Sequence, residues 1–551
     1  MDIPLKRGSF QIHARCTNEL ARQPKPKEAT FVAGSERFTL GTPTMSGVTA
    51  TEVKREELWD LVDELLSKQR LILASNRGPM EYHVQPDGPP QARRGSGGVV
   101  TALSGLTSRV DFTWIASAMG EGDRRVAEST KGAVRSPLPG QSVSVRYVTT
   151  PRRVYHKYYN IICNPLLWFL QHYMWSSPYT PRVDAQVYDA WDTGYVQVNQ
   201  EFADAIVEEA STSDLQPLVM IHDYHLYLVP RMVRQQLPNA RIHQFIHIPW
   251  PSSSYWLLLP SMMRTAICES LCLTDIVGFQ TERDVRSFLE SVESFLPNAQ
   301  VDHQARTVHI NDHECRVRAY PISIDVEEVR RIALTPRAQE YDQRLRPALG
   351  QKTIVRVDRA EPSKNIVRGF HAYDLLLERY PELRGTVRFL AFLVPSRTHI
   401  RQYQRYLEEI DLQVQTINQK YGTEDWKPIE VFYENNYTQA IAAMRLYDVL
   451  LVNSVIDGMN LVAKEGPVVN IKDGVLVLSE AAGAHEQLQV GCLSVAPADV
   501  EGTARILYQA LTMGDEERAE RSGKMVESIE RENISHWLHQ QLQDIEAISR
   551  H

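Results

Sequence analysis

Asp457, Gly458, Met459 and Asn460 follow the apolar run "YDVLLVNSVI", and Lys464 and Glu465 come next in a helix-forming stretch. An acid at a strand's end accepts hydrogen bonds from sugar hydroxyls, and a glycine beside it lets the backbone pass close to a ligand. The amides of Met459 and Asn460 are expected to open a helix whose positive end suits a phosphate or a developing negative charge. Glu465, further in, could grip vicinal ribose hydroxyls. By itself the stretch also reads as an acidic helix cap followed by a solvated Lys–Glu pair. Arg359, at the end of "TIVRVD", and Lys364, five residues on, shift that balance. They offer a bidentate fork and a point charge, the usual pair for a diphosphate.

Other strand ends carry polar groups too. "RLILAS" is followed by Asn76, Arg77 and Gly78, "PLVMIH" by Asp223, "RIHQFI" by His247, and "VRFLAFLV" by Arg397 in "PSR". A lone strand-end histidine is commonly structural, and a lone surface cation commonly an ion pair. Asp223 and His247 on separate strands of one half, facing a cleft, point instead to chemistry. The glycines of "GSGGVV", after a short loop, would let N–H groups approach a phosphate at a helix N-terminus. The run lacks the full dinucleotide fingerprint and the Lys-Ser/Thr of a P-loop. "TERD" at 281–284 reads as a helix cap without a catalytic role.

The elements that must position these groups follow from the apolar pattern. From Arg70 onward, short apolar runs alternate with helical stretches, which implies parallel sheets covered on both faces. The number of runs exceeds one sheet, and a divide near 318–331 leaves two halves of comparable size. The fold class is therefore α/β, with two facing doubly wound, Rossmann-like domains and a cleft between them, where ligands sit beyond the carboxyl ends of the strands. The expected division is an N-terminal extension over 1–69, partly flexible and ending in the amphipathic helix "EELWDLVDELLSKQ". A first Rossmann-like domain over 70–325, a second over 326–514, and a terminal helix over 515–551 packing back on the first domain follow. No solenoid repeat is visible.

Totals narrow the function. With 551 residues the chain exceeds one core, and 60 Lys plus Arg against 68 Asp plus Glu argues against a general nucleic-acid binder. The six cysteines are scattered without a CxxC pair, with Cys268 and Cys272 reading as core, so a reduced, cytoplasmic setting is expected. The first twenty residues show no apolar signal region, and "IICNPLLWFL" is too short to span a bilayer.

Taken together, "SNRGP", "GSGG", "HDYHL", "HIPWPSSSYW", "GFQTERD", "YPISID", Arg359 with Lys364, "PSR", "DGMNLVAKE" and "LSEAAGA" resemble the trehalose-6-phosphate synthase family, from about Arg70 to the C-terminus. That family consists of retaining glycosyltransferases with two facing Rossmann-like domains, the GT-B type. The resemblance implies transfer of glucose from UDP- or GDP-glucose to a sugar phosphate, most simply glucose 6-phosphate, giving trehalose 6-phosphate. By the same resemblance, Gly98 would contact the donor diphosphate, Arg359 and Lys364 would neutralise it, and Glu465 would hold the ribose. His247 and Asp457, with the amides after Gly458, would hold the donor sugar, and Asp223 would lie near the reaction centre. Arg77, Tyr159, Trp168 and Arg397 would meet the acceptor's phosphate. No metal or other cofactor is expected, only small-molecule substrates, without nucleic acid or membrane partners; homo-oligomerisation and the donor base stay open.

The chain departs from the family's pattern in four places. The acceptor-side tryptophan is missing: "TWIASAMG" offers Trp114 but places Ser117 or its neighbours where a second ring would stand. Ala360, Glu361 and Pro362 replace a Leu-Asp-Tyr type of filler, and Val455 and Ile456 stand where Leu-Arg is common. Pro467 is expected to shorten or kink the donor-site helix. These departures leave two other readings: a pseudo-glycosyltransferase joining a nucleotide cyclitol to an aminocyclitol phosphate through a C–N bond, and a non-catalytic sugar-phosphate sensor. No DxDxT motif follows, so no fused phosphatase is expected.

Overall fold

The computed structural model describes residues 50–549 apart from 86–87, 96–99, 101–102, 131, 175–181 and 398–399. The proposed flexible extension before residue 50, Cys16 and Gly98 lie outside the described residues. The amphipathic pattern before Arg70 forms the helix Ala50–Lys68.

The apolar runs of the first half build one sheet. Its strands and an associated hairpin are β1 (Gln69–Ser75), β2 (Met80–Gln85), β3 (Gly88–Arg94), β4 (Thr113–Ser117), β5 (Val134–Arg135), β6 (Ser144–Val148), β7 (Gln216–His222), β8 (Arg241–Phe245), β9 (Ile276–Phe279), β10 (Gln300–Asp302), β11 (Thr307–Ile310) and β12 (His313–Ala319). The sheet order is β10-β11-β12-β9-β8-β7-β1-β4-β6-β5, while β2 and β3 pair only with each other. The strands from β12 to β6 run parallel. Antiparallel pairs finish both edges. β4 and β9 are buried along their whole length, as a sheet covered on both faces requires.

The second half builds a six-stranded parallel sheet from β13 (Lys352–Arg359), β14 (Val387–Val394), β15 (Ile429–Tyr433), β16 (Val449–Val452), β17 (Val475–Ser479) and β18 (Leu493–Val495), in the order β15-β14-β13-β16-β17-β18. That is the order of a doubly wound sheet grown outward from its first strand, and it reverses between β13 and β16. The first sheet reverses in the same way between β1 and β7. Loops leaving adjacent strands at such a point turn to opposite faces and open a crevice, so Arg359 and Asp457 in one half, and Arg77 and Asp223 in the other, leave from the two switch points.

Several elements had no clear signal in the apolar pattern. The stretch after β1, expected as a short loop, is the β2–β3 hairpin, closed by Gly95 N–H donating to the Pro79 carbonyl at 2.8 Å. Lys157–Trp168 and Trp191–Val196 are π-helical, a wide winding that gathers at functional sites. The Asn164 side-chain amide donates to the Tyr159 carbonyl (2.9 Å), and Pro165 removes a backbone donor inside the same segment. At the far end, the helix Ile534–Ser549 packs on Ala50–Lys68. Its Trp537 meets Phe245 of β8 edge-on at 5.4 Å, and its Asp544 accepts from the Tyr320 hydroxyl at 2.6 Å. Cys163, Cys268, Cys272, Cys315 and Cys492 are buried and free. Among the described residues no helix is long and apolar enough to cross a membrane.

Candidate active site

The loop after β16 is the hinge of the site. Its Asp457 pairs with Lys364 and accepts from Ser454 at 3.3 Å and from Asn460 at 3.1 Å. Burial opposes ionisation, yet Lys364 alongside holds the Asp457 carboxyl below its usual range. The chain then crosses directly against the first half. A Cβ at Gly458 would lie 2.1 Å from the His247 carbonyl oxygen, so this glycine permits the close approach of two loops. A Cβ at Gly483 would lie 1.9 Å from the Gly458 carbonyl oxygen.

The helix of this motif starts later than expected. It spans Val462–Val469, because Asn460 takes a left-handed backbone (φ 74°) that interrupts the helical path, so the amides of Met459 and Asn460 are not its first turn. Pro467 sits inside it, and the helix still runs to Val469. Lys464 and Glu465 are not a solvated pair: both are buried and point to different partners. Lys464 donates to the Ile322 carbonyl at 2.7 Å, in the segment joining the two sheets. Glu465 accepts from the Tyr437 hydroxyl at 2.9 Å, and burial pushes its carboxyl up to about 7.

A second cluster forms where β13 and β14 end side by side, with Arg359 opposite Val394 in register. Glu361, fully buried, takes the Arg359 guanidinium at 3.1 Å, the Arg397 guanidinium at 3.3 Å and the Ser396 hydroxyl at 2.8 Å, all on one carboxylate oxygen. Burial works against its charge, but Arg359, Arg397 and Lys364 hold its carboxyl down at about 2. Arg397 also donates to the Tyr403 hydroxyl at 2.5 Å and lies 5.1 Å from the centre of the Trp168 ring. Behind the cluster, the buried Arg356 ties the Asp358 carboxylate (2.9 Å), the Lys364 carbonyl (2.9 Å) and Asn453 (3.0 Å), which fixes the loop that aims Lys364.

The first half supplies the facing wall. Asp223 adopts φ 75° and its carboxylate accepts from the His247 amide at 3.4 Å. Burial pushes its carboxyl up to about 7, against the pull of Arg397 and Arg359 from the other half. His247 is 3.1 Å from His222 through Nε2, and burial lowers its ring to about 3, so it is neutral near pH 7. Trp168 is buried and stacks on His172 at 4.1 Å; His172, lowered to about 4 by burial, feels Asp457 and Glu361 across the cleft. Tyr159 stands between Tyr155 (5.5 Å) and His225 (5.9 Å) in a parallel stack. Arg77, 44% exposed, pairs with Glu81 at 3.6 Å. Trp114 is buried with its Nε1 on Ser75 (2.8 Å), and Ser117 donates to Asn76 at 3.0 Å.

The structure thus brings Asp223, His247, Arg359, Lys364, Arg397, Trp168 and Asp457 to one interface between the sheets. Glu465 sits to one side with Tyr437, and Arg77 and Tyr159 on the other wall. Glu361, Arg356, His172, His222 and Tyr437 were not singled out as site residues. Only Glu361 carries a sequence signal, lying between Arg359 and Lys364. Thr281 caps the helix Glu282–Phe295, accepting from the Asp284 amide at 3.2 Å, and Arg283 reaches the Ala481 carbonyl of the other half at 3.4 Å. Among the described residues no group of three or more His, Cys, Asp or Glu side chains could hold a metal ion.

Comparison with known proteins agrees with this architecture. The family model described as glycosyltransferase family 20 matches residues 69–547. The chain is 33% identical over 488 residues to an α,α-trehalose-phosphate synthase (UDP-forming) of Pichia angusta, covering 85% of this chain and 97% of that protein. It is 31% identical over 486 residues to a validamine 7-phosphate valienyltransferase of Streptomyces hygroscopicus subsp. jinggangensis, covering 88% and 95%. Among solved structures, trehalose-6-phosphate synthase from E. coli bound with UDP-2-fluoro glucose superposes with a TM-score of 0.73 at 27% identity, covering 87% of this chain and 99% of that one. An α,α-trehalose-phosphate synthase from Burkholderia xenovorans in complex with glucose-6-phosphate gives 0.74 at 28%, covering 87% and 100%. With its two facing parallel-sheet halves and this match along nearly all of the described chain, the protein belongs to glycosyltransferase family 20, as a hexosyltransferase of the trehalose-6-phosphate synthase family.

Proposed function

We propose that this enzyme moves glucose, with retention of anomeric configuration, from UDP- or GDP-glucose to glucose 6-phosphate, giving trehalose 6-phosphate. The observation that carries this reading is a pair of cationic sites presented by one half at the cleft. Arg359 pairs with Glu361 and Lys364 with Asp457, and Arg397, from the same half, leans over Trp168 of the other. In this reading Arg359 and Lys364 receive the donor diphosphate, Glu465 the ribose, and Asp457 and His247 the donor sugar. Arg397, Trp168, Tyr159 and Arg77 receive the acceptor phosphate. Gly98, outside the described residues, keeps its assignment to the donor diphosphate. Neutral His247 and ionised Asp457 then act as hydrogen-bond partners of hydroxyls, not as a nucleophile.

Front-face substitution follows from that layout. The leaving phosphate takes the proton of the incoming hydroxyl while the sugar passes through an oxocarbenium-like state. Catalysis is then positioning plus stabilisation of the diphosphate charge by side-chain cations, with no resident metal or cofactor. We also assign the acceptor domain to 70–325, the donor domain to 326–514 and a cytoplasmic setting.

A second reading keeps the fold and changes the reaction to C–N bond formation between a nucleotide cyclitol and an aminocyclitol phosphate. Two observations favour it: the validamine 7-phosphate valienyltransferase relative, and Ser117, hydrogen-bonded to Asn76 in the stretch where the family pattern has an aromatic ring. Nucleotide release from UDP-glucose and GDP-glucose with glucose 6-phosphate separates the readings. Turnover supports the first. Silence with both donors, together with turnover of a nucleotide cyclitol and an aminocyclitol phosphate, supports the second.

A further inference from the structure

Glu361 belongs to neither anion site, yet it touches the cation of each. One oxygen of this fully buried carboxylate takes Arg359 at 3.1 Å and Arg397 at 3.3 Å, with Ser396 at 2.8 Å; its other oxygen has no partner among the described residues. The register of β13 against β14 explains the meeting, since Ala360 N–H still donates to the Val394 carbonyl (2.8 Å) and the chains diverge only beyond that point. Arg397 is further held by Tyr403 and by the Trp168 face, so it cannot swing far. Arg359 is half-exposed, and Glu361 is its one ion-pair partner among the described residues.

We propose that Glu361 is a positioning residue that joins the two phosphate sites, setting the separation between the guanidinium assigned to the leaving diphosphate and the one assigned to the acceptor phosphate. This rests on the donor and acceptor assignments made above. Two dianions must bind close together for an in-cleft transfer, and each needs its guanidinium aimed. A shared carboxylate aims both, at the cost of competing with each anion for the same N–H donors. Removing its charge therefore has opposite effects on binding and on turnover. The cations are freed to bind anions more tightly, while the two substrates lose their fixed spacing.

The test compares wild type, Glu361→Gln and Glu361→Asp. Binding of UDP and of inorganic phosphate is measured by calorimetry on the full chain, and kcat is measured with UDP-glucose and glucose 6-phosphate. For Glu361→Gln the expectation is roughly tenfold tighter binding of UDP and phosphate with kcat at least about tenfold lower. Glu361→Asp, which keeps the charge with a shorter reach, should hold both dissociation constants within about threefold of wild type and recover part of kcat. A purely structural role would weaken anion binding and turnover together, and that outcome overturns the proposal. Wild-type turnover in Glu361→Gln also overturns it. If Glu361→Gln does not fold, Glu361→Asp decides: unchanged kcat overturns, and reduced kcat with retained UDP binding supports. A wild-type enzyme silent with glucose 6-phosphate and both UDP-glucose and GDP-glucose would defeat the assigned reaction, while the UDP and phosphate arm would still judge Glu361.

Discussion

Replacing Gly458 with alanine tests the arrangement at its narrowest point. The added Cβ would lie 2.1 Å from the His247 carbonyl oxygen and 3.3 Å from the Ile248 Cα. Carbon and oxygen do not approach below about 3 Å, so the two loops must part by about 1 Å. Neither yields cheaply. The His247 amide is held by Asp223, and the Ile246 amide just before it donates to Gly278 at 2.9 Å. On the other side, Gly483 N–H donates to the Asp457 carbonyl at 3.1 Å and Ala484 N–H to the Met459 carbonyl at 2.9 Å. Overpacking of this kind costs about 1–3 kcal/mol of stability. The same displacement separates His247 from Asp457, and a 1 Å misplacement at a reacting centre costs about a hundredfold in rate. The assay is kcat with UDP-glucose and glucose 6-phosphate at a temperature well below the variant's melting point. Turnover within about twofold of wild type would refute the argument that this contact sets the spacing of the two halves.

Three further outcomes follow from the same geometry. On the proposed donor assignment, Arg359→Ala exposes the charge of the leaving diphosphate and should raise the barrier by about 3 kcal/mol or more; steady-state kcat near wild type counts against it. Lys364→Met leaves the partly buried Asp457 without its cation and should cost up to about 3 kcal/mol by urea unfolding, whereas Lys364→Met with Asp457→Asn restores most of that stability and none of the activity. Lys464 is fully buried, and desolvation lowers its ammonium to about 7. The unfolded chain then binds the extra proton between about pH 7 and 10, so wild-type stability should rise with pH across that window, by up to about 4 kcal/mol. In Lys464→Met that rise should vanish, and melting curves at pH 7 and pH 9 that shift alike in both proteins would exclude the effect.

The two sheets were legible in the chain because a parallel strand covered on both faces must be apolar along its length, and runs such as "DVLLVNS" and "GVLVLS" are. A polar residue just after such a run marks a strand's carboxyl end, which is how Asp223, His247, Arg359, Arg397 and Asp457 came into view. Tertiary structure alone decided what each of those ends faces. Gly458 lies 211 positions from His247 in the chain, yet its missing side chain is explained by that residue's carbonyl. Glu361 looked like filler until β14 laid Arg397 beside it. The burial of Lys464 had no sequence signal, because its partner, the Ile322 carbonyl, is backbone and leaves no mark in side-chain pattern. Local periodicity records which face of an element is buried; it carries no information about what arrives from the other half of the molecule to bury it.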